Sequence, residues 1–153
     1  MKFSAREDVQ VPIGFAFDYV SDFKAFERMA MRRGVTIRRQ DDLKSPGVGM
    51  IWDIRFNYRG KPRVMDTELQ IYQVPHKLRF ASKVGGLNVE TAIELVALSP
   101  NKTRIFVSFD LRPRSLSARL LLQSLRLAKG KLTKRYKARI AAFAEDIETQ
   151  HGR

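Results

Sequence analysis

The chain of 153 residues carries 29 Lys and Arg against 16 Asp and Glu, a formal charge of +13; at about 100–200 residues per domain, this length predicts one domain. Hydrophobic residues make up 44% of it, and a chain this size buries roughly 70% of the surface its unfolded form exposes, so a core can form without staples. There is no cysteine, which excludes disulfides, thiolate metal sites and cysteine nucleophiles.

No apolar run reaches the roughly 18 residues of a membrane span, and the opening MKFSAREDVQV has no signal-peptide core, so a cytoplasmic chain is expected. Its positive charge favours polyanions or anionic membranes as partners but leaves the fold open.

Residues 1 to 11 alternate, with Phe3, Ala5, Val9 and Val11 on one side and Lys2, Ser4, Arg6 and Asp8 on the other, the period of a half-buried strand. Pro12 ends it. Ile13, Phe17 and Val20 then recur at helical spacing, predicting a short helix from about Ile13 to Asp22. Phe26, Met29 and Ala30 predict a second before Gly34.

Six strands are expected next: Val35 to Gln40, Met50 to Tyr58, Arg63 to Gln73, Lys77 to Val84, Asn88 to Leu98 and Thr103 to Arg112. Short turn-forming segments such as Arg59-Gly60-Lys61-Pro62 and Gly85-Gly86 separate most of them. Connections that short join antiparallel neighbours, because a parallel crossover needs about a dozen residues.

From Ser115 to about Thr149 the pattern is helical, with Leu132, Tyr136, Ile140, Phe143 and Ile147 in one stripe. An unbroken helix of that span would be about 50 Å long, more than the roughly 40 Å diameter of such a domain, so it either overhangs or breaks, with Gly130 the expected place of a break. The order of elements predicts an α+β fold in which a curved antiparallel sheet of seven strands wraps the long C-terminal helix, with two short helices after strand 1. Strong curvature leaves internal space between sheet and helix.

The stretch Val9-Gln10-Val11-Pro12-Ile13-Gly14-Phe15-Ala16-Phe17-Asp18-Tyr19-Val20-Ser21-Asp22 resembles the opening of START-like proteins, the SRPBCC or polyketide cyclase/dehydrase group. The long helix ending in Ile140 to Ile147 is also similar to that group. The resemblance implies the helix-grip fold and a cavity for an apolar or aromatic small molecule. It implies no single activity, since the superfamily includes lipid carriers, aromatic cyclases, hormone receptors and chaperone activators.

Strand parity nominates the lining. Met50, Trp52, Ile54, Phe56 and Tyr58 share one side of their strand, and Met65, Thr67, Leu69 and Ile71 share one side of the next. Phe80 and Ser82, Thr91 and Ile93, and Val107 and Phe109 continue the row, with Leu132 and Tyr136 facing it from the helix. The central strands place no carboxylate, histidine or lysine inward. General acid–base chemistry needs such a group, so non-covalent binding of a hydrophobic molecule (lipid, polyketide or aromatic compound) is expected, without catalytic residue, metal or cofactor. The alternatives are an aromatic cyclase-like enzyme and a basic adaptor for RNA or ribosomes.

Outside that row, Glu7 and Arg39 interrupt apolar faces on outer strands, where a buried ion pair at the cavity is the alternative to the exposed edge positions expected. Asp18 and Asp22 read as helix-surface or helix-end residues, and His76 and His151 as turn and tail residues. No acidic residue lies between Asp110 and Glu145, whereas Arg119, Arg126, Lys131, Lys134, Arg135 and Lys137 are basic. Leucines before Gly130 fall around much of the helix circumference. This segment can solvate the exterior, rest on an anionic membrane, or bind nucleic acid through phosphates.

Overall fold

A computed structural model describes residues 1–153. Strand β1 (Lys2–Val9) leads through Pro12 into helices α1 (Ile13–Val20) and α2 (Phe23–Arg32). Strands β2 (Thr36–Arg39), β3 (Ile51–Tyr58), β4 (Lys61–Gln73), β5 (Lys77–Val84), β6 (Leu87–Ser99) and β7 (Lys102–Pro113) follow, and helices α3 (Leu116–Leu127) and α4 (Lys129–His151) close the chain. All pairings are antiparallel and the sheet order is β1-β7-β6-β5-β4-β3-β2, so the strands from β2 to β7 form a meander and β1 closes its far edge.

The alternation expected of β1 is present, with Lys2, Ser4, Arg6 and Asp8 outward and Val9 fully buried. Thr103, also fully buried, donates its hydroxyl to the Val11 carbonyl at 2.8 Å and ties the exit of β1 to β7. The core gathers Phe17 and Val20 from α1, Leu69, Leu78, Leu95 and Ile105 from the sheet, and Ala144 and Ile147 from α4.

Three expectations need correction. Helix α3 ends at Leu127 and α4 starts at Lys129, so the break falls at Ala128, and Gly130 lies in the first turn of α4. At Ala128 the ladder is interrupted, its N–H donating to the Leu125 carbonyl at 3.0 Å to close α3, after which α3 keeps contact with β7 while α4 runs along β1. Secondly, the β4–β5 register shifts between Leu69 and Ile71, which leaves Gln70 as the extra residue of a bulge. A bulge reverses the side-chain parity beyond it. Tyr72, paired with inward Leu78, therefore packs on Phe17 and Phe23 in place of Ile71. Thirdly, Tyr58 is exposed at the tip of the β3–β4 hairpin and stands under the Arg59 guanidinium, with no part in the core.

Helix α3 is seated by a glycine. Ser115 caps it, its hydroxyl oxygen accepting from Ala118 N at 3.1 Å. A β-carbon on Gly86 would collide with that hydroxyl and lie 3.1 Å from the Ala118 methyl. Turning Ser115 away would sacrifice the cap. Gly86→Ala is therefore expected to cost about 1–3 kcal/mol in urea denaturation.

Candidate functional site

Helix α4 makes its close backbone approach to the sheet along β1, at the edge. The middle of the concave face, from β3 to β7, is covered by side chains of α1, α2 and α4. A hollow of about 390 Å³, open to solvent on one side, lies between these layers, within the range of small-molecule sites. Trp52, Ile54, Thr67, Phe80, Ile93 and Val107 form its floor. Val20, Phe23 and Phe26 cover it from the first helices, and Ile140 and Phe143 from α4.

Eleven of the 14 lining residues are hydrophobic, so the hollow suits an apolar guest. Larger depressions near the β1 edge (about 540 Å³) and on the outer face of the sheet (about 530 Å³) are lined mainly by polar and charged side chains.

An aromatic network holds the walls apart. The Phe23 ring meets Trp52 edge-on at 5.4 Å between centroids and Phe80 at 6.1 Å, and lies 6.5 Å from Tyr72. On the opposite wall Phe143 packs against Tyr19 at 5.3 Å and Phe26 at 6.2 Å. Such pairs add about 0.5–1.5 kcal/mol each beyond their buried area.

Few polar groups interrupt this surface. Thr67 and Ser82 share one hydrogen bond of 2.8 Å and satisfy each other. Trp52 Nε1 donates to the Glu27 carboxylate at 2.9 Å. Arg39 lies 5.7 Å from the Trp52 ring centroid and is held by Asp41. The Arg39 guanidinium, and after it the Ile51 amide, keep the Asp41 carboxyl well below the usual carboxylate range. Arg39 thus belongs to a half-buried cluster at Trp52 rather than to an open edge.

The nominated residues divide among several places. Trp52, Ile54, Thr67, Phe80, Ile93 and Val107 come together on the hollow. Phe56 and Tyr58 line a separate groove of about 830 Å³ under α3, with Arg59, Arg63 and Leu121. Leu69 and Ser82 are buried beside the hollow without lining it, and Thr91, Phe109 and Leu132 are half-buried outside it. Tyr136 packs on Phe3 and Phe109 and donates its hydroxyl to the Val107 carbonyl.

Of the other polar candidates, Asp22 caps α2 by accepting from Ala25 N at 3.2 Å, and Asp18 is exposed. His151 packs edge-on against Phe15. Arg119, Arg126, Lys131, Lys134, Arg135 and Lys137 are all exposed.

Strand parity could not reveal Glu27 and Arg139, the two charged residues on the hollow. Both lie on helices. Phe23, Phe26 and Glu27 share one side of α2 at three- and four-residue steps, and Arg139 adjoins the apolar stripe at Ile140 and Phe143. Those spacings were the available signal.

No protein-family model matches this sequence, and neither does any curated protein. Solved structures do match in fold. Norcoclaurine synthase from Thalictrum flavum, determined as a point mutant with a transition-state analogue, superposes with a TM-score of 0.70 at 13% identity, covering 100% of this chain and 96% of that one. The Zhui aromatase/cyclase from Streptomyces sp. R1128 gives 0.64 at 9% identity, over 95% and 93% of the two chains. A START superfamily protein from Mycobacterium smegmatis gives 0.58 at 15% identity, over 88% and 95%. The fold is the START-like helix grip.

Burial pushes the Tyr136 phenol up to about 12 from an ordinary 10.0. The folded state keeps that proton while the unfolded chain loses it. The phenol's contribution to stability is thus intact below pH 10 and lost as the pH rises through about 12. Denaturation midpoints measured at stepped alkaline pH should fall across this window, less steeply in Tyr136→Phe.

Proposed function

We propose that this protein binds a hydrophobic small molecule, an acyl, polyketide or aromatic compound, non-covalently in the hollow between β3–β6, α2 and α4. One observation carries this reading: an apolar hollow of about 390 Å³ lies where the fold could have closed a solid core. Transfer of an apolar guest from water is favourable by about 25 cal/mol per Å² buried. The Thr67 hydroxyl and the Glu27 carboxylate offer the few polar contacts that orient it. The fold neighbours include an aromatase/cyclase and a norcoclaurine synthase, so the same architecture also accommodates enzymes.

One residue favours a second reading. Glu27 brings a carboxylate to an otherwise apolar wall, and a carboxylate beside a bound polyketide could move protons in a cyclisation. For that reading, Glu27→Gln lowers turnover while leaving affinity within a few-fold.

Trp52 is the chain's single tryptophan and lines the hollow, so its emission reports occupancy directly. Titration with anilinonaphthalene sulfonate should quench Trp52 with saturation. Ile93→Phe, which places a ring in the hollow, should weaken binding about tenfold, the equivalent of about 1.4 kcal/mol. Native mass spectrometry of protein purified from its host should show a co-purifying apolar mass. An unresponsive Trp52 together with a bare protein mass would end the binding reading.

A further inference from the structure

Helix α3 is apolar on two opposite sides. Ala118 and Leu122 are buried, whereas Leu116, Leu120 and Leu127 are 71%, 56% and 92% exposed. At about 100° per residue these three leucines fall within an arc of about 40°, roughly opposite Ala118. Packing on the protein needs one stripe only, so the outward row has no partner in the fold. Arg119 and Arg126 lie together on one side of it, at about 80–100°, and both are exposed.

The surroundings share this character. From Asp110 to Glu145 the chain has ten Lys and Arg and no acidic residue between those two. The groove beneath α3 opens at the same pole, and Tyr58, Val64 and Leu121 are exposed along it. Arg59 and Arg63 are its charged residues. The buried Nε of Arg63 has no hydrogen-bond partner, leaving a donor unmet in a groove without carboxylates.

We propose that the outward face of α3 docks on the surface of an anionic bilayer. No helix is long and apolar enough to cross a membrane, so the contact is interfacial. The outward leucines seat at the acyl boundary while the two arginines along one side of them meet lipid phosphates. Charge complementarity selects this occupant. A second copy would oppose one acid-free basic face with another, and nucleic acid would engage the arginines but leave the leucines in water. The groove, lined by Ala118, lies on the other side of α3 from this contact, and docking does not depend on what the hollow binds.

Co-sedimentation with lipid vesicles tests this. Binding is expected to vesicles of phosphatidylcholine containing about a third phosphatidylglycerol, and to be much weaker to phosphatidylcholine alone. Leu120→Ser with Leu127→Ser should lower partitioning about tenfold or more with circular dichroism unchanged. Leu127→Ser alone, at the most exposed position, gives the same sign if the double variant misfolds. Arg119→Gln with Arg126→Gln should weaken binding and flatten its salt dependence.

Absence of binding to anionic vesicles overturns the proposal. So does equal binding by the leucine variants, which would reduce the contact to charge alone. Two further results would also overturn it: a dimer in sedimentation that Leu127→Ser breaks without vesicle binding, or salt-sensitive RNA binding without vesicle binding.

Discussion

The edge of the Phe23 ring, set against Trp52 and Phe80 with Tyr72 close by, decides how far α2 stands from the sheet. Edge-on aromatic contacts hold ring centres about 4.5–7 Å apart, so α2 cannot settle onto β3 and β4. Trp52 reinforces the spacing by donating to Glu27 on the next turn of the same helix. A wedge at one end of α2, with a hydrogen bond beyond it, leaves space under Phe26. That space is the hollow.

The long helix contributes by where it does not go. Ala144 and Ile147 are buried in the core, and Tyr136 bonds to the Val107 carbonyl. These contacts hold α4 along β1 at the edge of the sheet. Only Ile140, Phe143 and Arg139 reach the hollow from it. The concave face is thereby shared between two openings. On β3, Ile54 faces the hollow and Phe56 the groove beneath α3; on β4, Thr67 and Arg63 divide in the same way, with Met65 between them.

Much of this architecture was legible because strand parity is a local property. The inward sides of β3, β5, β6 and β7 follow from alternation, which is how Trp52, Ile54, Phe80, Ile93 and Val107 could be named together. Parity fails where a residue is inserted, and nothing around Gln70 marks the bulge that turns Tyr72 inward. The helix break was misplaced for a related reason. Glycine weakens a helix locally, but the turn at Ala128 separates a segment that touches β7 from one that runs along β1, and those contacts are tertiary. Glu27 went unnoticed because a half-buried carboxylate on an amphipathic helix reads as surface until its partner, Trp52 Nε1, is in place. The exposed leucines of α3 were visible as an excess of apolar surface, while their alignment needed the helix's buried side to be known.

The account rests on open space between the Trp52–Phe80 pair on the sheet, whose ring centroids are 6.1 Å apart, and Phe143 on α4. A crystal structure determined under xenon pressure tests that directly, since xenon enters apolar cavities and leaves filled cores empty of density. Strong density bounded by Phe23, Trp52, Ile93 and Phe143 is the predicted result. Rings closed together across the gap, with no xenon between α2, α4 and the sheet, would contradict it.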